Sequence, residues 1–330
     1  MPETVLVTGG AGYIGSTICS ALEDAGHNPI ILDSLVSGDT GMIGNRPFYR
    51  GDVSDPRVIA EIFADHPHIT CCIHCAALAI VPDSVDRPLD YYSNNVSGTI
   101  DLIRSLMHHG CSKVVFSSSA SVYDTAPGPE VTETSPTRPL SPYARTKLIM
   151  EMVLEDLAEA SGLKALSLRY FNPIGADPRM RSGQRQQVAS QIMSVLVEVA
   201  SGHRPAFYVT GTEWPTRDGT GVRDYVHVWD LARAHVAAVE KIDKIFPDEG
   251  GSEIINLGTG TGVTVREFVH AFERVLGRSV HTIDAPPRPG DVAGAYASIG
   301  KAERLLGWRP ELSLEEGIHH ALEWAERSRE

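Results

Sequence analysis

Five residues that read as a buried strand, Thr4-Val5-Leu6-Val7-Thr8, run straight into Gly9-Gly10-Ala11-Gly12-Tyr13-Ile14-Gly15, which opens a helix reaching about Ala25. That junction restricts the chain more than any other feature. Its glycines permit a tight turn, let the backbone approach a pyrophosphate, and allow the helix to pack closely on the strand. The turn fits two overlapping patterns, GxGxxG from Gly10 and GxxGxxG from Gly9. A second strand, Pro29 to Asp33, ends in an acid 18 residues after Gly15. An acid there accepts hydrogen bonds from an adenosine ribose, and its charge disfavours a 2′-phosphate. The expected fold is α/β, a Rossmann-type doubly wound parallel sheet, with NAD preferred over NADP. A glycine turn that binds nothing is the competing reading.

The alternation of strand and helix continues. A short strand at Phe48–Arg50 leads to Gly51-Asp52-Val53, then a helix from about Pro56 to Asp65 and a strand from Thr70 to Cys75. Cys71, Cys72, His74 and Cys75 invite a metal reading. Strand geometry opposes it, because Cys71 and Cys75 face one side while Cys72 and His74 face the other. A second ligand pair at zinc spacing is also missing, so no metal is expected. A helix from about Asn94 to His109 precedes the strand Lys113–Phe116, which ends in Ser117-Ser118-Ser119-Ala120-Ser121-Val122-Tyr123. Hydroxyls at the carboxyl end of a parallel strand lie where open α/β sheets bind ligands.

Ser141-Pro142 is a helix start, and it sets Tyr143 and Lys147 four apart on one helical face. An ammonium beside a phenol favours the phenolate and lowers its pKa from about 10 toward the working range of a base. Taken alone, such a pair is also found on ordinary helix surfaces. After the strand Lys164–Arg169 and the turn Tyr170-Phe171-Asn172-Pro173 the regular alternation breaks. We therefore expect a NAD-binding domain over residues 1–172 and a smaller α/β lobe, mainly substrate-binding, over 173–330. Part of the latter, about 225–260, is expected to return to the first domain. Helices are anticipated from about Gln187 to Ala200 and Trp229 to Ile242, and strands at Glu253–Leu257 and Val280–Ile283. Capping boxes at Thr264/Glu267 and Ser313/Glu316 start two more helices.

Composition narrows the function classes. A formal net charge of -13 argues against a phosphate-backbone binder, so no nucleic acid is expected. No apolar run reaches the roughly 18 residues of a membrane span. Met1-Pro2-Glu3 leads directly into the first strand and leaves no room for a signal peptide. Five cysteines without a framework spacing suit a reducing cytoplasm.

Taken together, TGGAGYIG, HCAA, YYSNNVSGT, FSSSASVY, SPYARTK, RYFNPIGA, DGTGVRDYVHV and GKAERLLGWRP resemble the UDP-glucose 4-epimerases of the extended short-chain dehydrogenase/reductase superfamily. The likeness runs almost end to end. It implies that Tyr143 is the base, that Lys147 is its electrostatic partner and a cofactor-ribose contact, and that Ser119 hydrogen-bonds the substrate near the reacting oxygen. It implies a NAD site lined by Gly9, Gly12, Tyr13, Ile14, Gly15, Asp33, Asp52, Val53, Ala76, Ala77, Asn95, Ser117 and Tyr170, beside Tyr143 and Lys147. Phe171, Asn172, Arg223, Arg288 and Asp291 match positions that hold the UDP-sugar. The implied reaction removes the sugar 4-hydroxyl proton and its hydride, turns the 4-keto sugar over, and returns the hydride to the opposite face. NAD is then a retained cofactor. Relatives pair through the helices near 94–109 and 142–160, where Leu148, Met150, Met152 and Leu154 exceed one core-facing stripe, so a homodimer is expected.

Some positions depart from the pattern. Ala79 stands where these epimerases often carry a lysine near the cofactor phosphates, and Asp124 replaces a turn glycine. Around Ser190 and Gln191 neither the usual asparagine pair nor its common substitute is found. Ala295 stands where some relatives have a bulky tyrosine, leaving volume for a 2-N-acetyl group. Arg179, Arg181 and Arg185 occupy a loop that is commonly acidic. A guanidinium there, from Arg179 or Arg185, would pair with a carboxylate at sugar C6, which makes UDP-glucuronate an alternative to UDP-glucose and UDP-galactose. A dehydratase or decarboxylase is disfavoured because Ala120 and Ser121 cannot shuttle protons. A non-catalytic NAD-binding regulator is disfavoured because Tyr143 and Lys147 are both present.

Overall fold

Seven strands join into one parallel sheet: β1 (Thr4–Thr8), β2 (Asn28–Asp33), β3 (Phe48–Arg50), β4 (Ile69–His74), β5 (Lys113–Ser119), β6 (Lys164–Tyr170) and β7 (Gly251–Leu257). The computed structural model describes residues 2–124, 129–185, 191–247, 250–288 and 292–328. The strand order is β7-β6-β5-β4-β1-β2-β3. It reverses between β1 and β4, and the crevice beyond the carboxyl ends of strands at such a switch point is where open α/β sheets bind ligands.

The strands are apolar on both faces, as central parallel strands must be when helices cover both sides. Val5, Val7, Ile31, Ile73, Val115, Leu166 and Leu168 form one core with α1 (Tyr13–Asp24) and α5 (Val228–Ile245). Leu6, Ile30, Leu32, Cys72, Val114 and Phe116 form the other, with α2 (Pro56–Asp65), α3 (Gly98–His108) and α4 (Pro142–Ser161). Cys71 and Cys72 fall into different cores, as the two-residue period of a strand requires. A third core of Ile174, Met193, Leu196, Phe207, Val209, Phe268, Phe272 and Ile318 belongs to the residues beyond the break. Both capping boxes form, at Thr264 and Ser313. The stretch 225–260 supplies α5, packed on α1, and the edge strand β7 beside β6.

Local differences have local causes. Two short helices, Val81–Asp86 and Pro88–Tyr92, occupy what sequence reading leaves as a connection. Their prolines sit in the first turn, where a missing N–H costs nothing. The helix expected from Asn94 begins as a π turn, Ser93–Ser97, before α3. The strand expected at Val280–Ile283 lies at Thr282–Ala285, where it pairs in parallel with Phe207–Thr210. The helix expected from Gln187 is described from Ile192 to Ala200, residues 186–190 lying outside the described residues. Among the described residues no helix is long and apolar enough to cross a membrane.

Candidate active site

The glycine turn is shaped for close approach. Gly9 has φ +71°, and a Cβ on it would stand 2.7 Å from the Ala76 amide nitrogen. A Cβ on Gly15 would stand 2.2 Å from the Gly9 carbonyl oxygen. Neither position accepts a side chain. Gly12 is the N-cap of α1 and provides no side-chain cap, so the first-turn amides, with those of Tyr13 and Ile14, face an open helix N-terminus. At the end of β2 the nearly buried Asp33 accepts from the amides of Ala11 (3.0 Å) and Leu35 (2.8 Å). That fixes a carboxylate against the glycine turn. Val53 is buried and Asp52 exposed, its carboxylate accepting from Ser54. After β4, Ala76 and Ala77 are half-buried. Asn95 pins the next residue: its side chain accepts from the Leu78 amide at 2.9 Å and donates to the Leu78 carbonyl at 3.0 Å. A glycine cradle, an uncapped helix terminus and a buried carboxylate at the second strand's end together fit a dinucleotide with a free ribose 2′-hydroxyl.

Across the switch point lies the second group. Ser141 Oγ accepts from the Ala144 amide at 3.2 Å, which caps α4 and aims its first turn. Tyr143 is half-buried there and Lys147 buried. The Lys147 ammonium lies 5.8 Å from the Tyr143 ring centroid and donates to the Ser117 carbonyl at 2.7 Å. The Ser119 hydroxyl, hydrogen-bonded to Ser121 at 2.9 Å, lies near enough to the Tyr143 phenol to favour its ionised form. Ser119, Tyr143 and Lys147 therefore converge at the carboxyl end of β5. Their protonation differs from the sequence-based expectation. Burial raises the Tyr143 phenol above its ordinary value, and the neighbouring Ser119 hydroxyl only partly opposes this. Burial pushes Lys147 down to about 8, against the pull of Cys75 and Glu151. Desolvation penalises both charged forms, and in this pocket it outweighs the attraction on which the expectation rested. Tyr170 and Ser117 sit in the same floor, their hydroxyls 2.7 Å apart.

The substrate-side residues form a rim. Phe171 is buried against Val122, Tyr123, Val131 and Ala297. Asn172 donates through its side chain to the Asp224 carbonyl at 3.2 Å. Arg223 is half-buried, with its guanidinium 2.7 Å from the Val222 carbonyl. Arg288 is exposed. Asp291 lies outside the described residues, as does Ser190.

Sequence reading missed the groups that hold this rim. Asp224 is fully buried and accepts from the Thr259 amide (2.7 Å), the Thr259 hydroxyl (2.7 Å), and the amides of Gly260 (3.2 Å) and Ala297 (3.0 Å). Glu151 and Arg169 form a buried pair in which Arg169 donates at 2.9 and 2.7 Å, and Ser118 donates to the same carboxylate. The only sequence signal for Asp224 is an acid one residue after Arg223, which points inward if Arg223 points out.

The structure does not bring Arg179 or Arg185 to the sugar side. Arg179 and Arg181 each pair with Asp24 at 2.9 Å, at the far end of α1. With about 1.5 Å of rise per residue, that end is roughly 16 Å from the glycine turn. Arg181 also holds the buried Asp177. Arg185 pairs with Asp39 at 2.6 Å, in the loop that follows β2 and Asp33. The local reversal of charge answers the carboxylates of Asp24, Asp39 and Asp177, which the spacing of the arginines alone could not reveal.

Residues 5–258 match a family model described as the NAD dependent epimerase/dehydratase family. The UDP-glucose 4-epimerase of Halalkalibacterium halodurans is 40% identical over 321 residues, covering 97% of this chain and 95% of that protein. The UDP-glucose 4-epimerase of Bacillus subtilis is 41% identical over 330 residues, covering 97% and 96%. Among solved structures, the UDP-glucose-4-epimerase of Stenotrophomonas maltophila with bound NAD and formylated UDP-arabinopyranose superimposes with a TM-score of 0.93. It shares 38% identity, over 99% of both chains.

Proposed function

Because the chain belongs to the NAD-dependent epimerase/dehydratase family, within the extended short-chain dehydrogenases/reductases, we propose that it interconverts UDP-glucose and UDP-galactose by inversion at C4. The observation that carries this reading is the convergence of Ser119, Tyr143 and Lys147 at the carboxyl end of β5, across the switch point from the glycine turn.

NAD would be held by the Gly9–Gly15 turn, Asp33, Asp52, Val53, Ala76, Ala77, Asn95, Ser117, Tyr170 and Lys147, and when bound it supplies the hydride acceptor. The protein's own groups do the rest. Tyr143 takes the 4-hydroxyl proton in one half-reaction and returns it in the other. Ser119, next to the phenol, would hydrogen-bond the reacting oxygen, and Lys147 supplies positive charge beside the pocket. Phe171, Asn172, Arg223, Arg288 and Asp291 would grip the UDP end, so the keto sugar can turn over without leaving. The arginine ion pairs withdraw the argument for a C6 carboxylate, and the neutral hexose is favoured over glucuronate. A small, half-buried Ala295 beside Phe171 supports a pocket roomy enough for a 2-N-acetyl group.

Pairing of two copies, expected through the helices near 94–109 and 142–160, is supported by exposed apolar side chains on and beside the second of these. Met150 and Leu154 are buried in the chain's own core and Leu148 is partly packed, leaving Met152 as the exposed member of that set. The helices 81–86 and 88–92, which lie against α4, add the exposed Val85 (62%) and Leu89 (81%). An apolar patch of this kind favours a two-fold dimer. Five free cysteines support a reducing, cytoplasmic setting.

The test is to incubate purified protein with NAD and UDP-glucose and to measure UDP-galactose. Absence of that product, with NAD bound, would refute the assignment.

A further inference from the structure

His235 on α5 is fully buried, and the chemistry above gives it no part. Its Nδ1 lies 2.8 Å from the Leu231 carbonyl oxygen, one turn earlier in the same helix. A carbonyl can only accept, so Nδ1 carries a proton and donates it. Burial keeps the ring neutral, holding its pKa down at about 4, so Nε2 offers a lone pair. The group that meets Nε2 is the Tyr170 hydroxyl, which therefore donates to it.

The direction propagates. Tyr170 has one proton, so across its 2.7 Å contact with Ser117 Oγ the serine is the donor. Cys75 Sγ lies 3.1 Å from Ser117 Oγ on its other side. One polarity runs from Ser117 through Tyr170 into His235. The same Ser117 offers its carbonyl to the Lys147 ammonium. We propose that His235 is a positioning residue for the reaction: by taking the Tyr170 proton it orients Tyr170 and Ser117, and so fixes where Lys147 stands beside Tyr143. It also commits the second phenol of the pocket, leaving Tyr143 as the one free to exchange a proton with substrate.

This inference rests on the epimerase reading for its kinetic readout. In the full-length, NAD-loaded protein, His235→Leu should lower kcat about ten- to a hundredfold through misplacement of the floor. KM for UDP-glucose should stay within about twofold, since the loss falls on the transition state. His235→Gln, whose side-chain oxygen can take the Tyr170 proton, should recover most of kcat. In a Tyr170→Phe background, His235→Leu should change nothing further. Independently of turnover, nitrogen NMR of the wild type should show His235 as the Nδ1–H tautomer. Wild-type kcat in His235→Leu, equal losses in the leucine and glutamine variants, additivity with Tyr170→Phe, or the Nε2–H tautomer would each overturn the proposal. Should the leucine variant not fold, unchanged kcat in Tyr170→Phe overturns it as well. A wild type without epimerase activity would instead sink the functional reading, and the tautomer would still decide this one.

Discussion

If Tyr143 is the base we propose, its raised pKa makes the pH dependence predictable. The active form is the deprotonated one, so kcat should climb as pH rises through the neutral range. Tyr143→Phe keeps the ring and removes the titrating oxygen. Its kcat should fall by about 10²–10⁴-fold while NAD still binds, measured as turnover alongside bound-cofactor fluorescence. Asp224 carries a second residue-level expectation. Asp224→Asn keeps the shape but turns one acceptor oxygen into a donor facing amides that also donate. A loss of about 1–3 kcal/mol in denaturant unfolding is expected, and an unchanged midpoint would show that the site adapts. The glycines, Asp33, Tyr143 and Lys147 were legible in the sequence because each belongs to a contiguous motif with a fixed local geometry. Asp224, Glu151, Arg169 and His235 were not, because their partners lie 18 to 73 residues away or are selected only by packing.

At the scale of elements, the 176–185 loop is the place where pattern and structure part. Three arginines in an acidic chain suggested an anionic ligand, but the charge is answered by Asp24, Asp39 and Asp177. Arg185→Ala should therefore leave the ratio of kcat/KM for UDP-glucose and UDP-glucuronate unchanged, and a shift of more than about tenfold would restore the loop to the sugar site. Exposed ion pairs of this type contribute about 0–1 kcal/mol each, so stability should barely move. The helices at 81–92 give the opposite test. Leu89→Glu places a charge on the exposed apolar face without touching the buried cores. Light scattering at micromolar concentration should show the wild type as a dimer and this variant as a monomer.

For the whole molecule, acid is the expected weakness. Burial holds His74 and His227 down at about 3 and His235 at about 4, whereas unfolded histidines titrate near 6.5. The folded state therefore refuses protons that the unfolded state accepts. The stability these neutral rings supply is complete above pH about 6.5 and drains as pH falls toward the folded values, at about 1.4 kcal/mol per pH unit for each histidine. Asp224 and Asp230 have raised pKa values and act in the opposite sense, but over the lower carboxylate range. The thermal midpoint should fall steadily between pH 7 and pH 5. A flat profile would mean the rings accept protons without unfolding.

The sheet is finished by a strand that the chain makes late. β6 ends at Tyr170, while its outer neighbour β7 and the covering helix α5 come only after residue 227. On a ribosome adding roughly 5–20 residues per second, the first domain waits several seconds with one edge bare and one apolar face open. Its amino-terminal half should therefore need holding factors during synthesis. A gene cut after residue 172 should yield aggregates, however well that segment's motifs describe a cofactor fold.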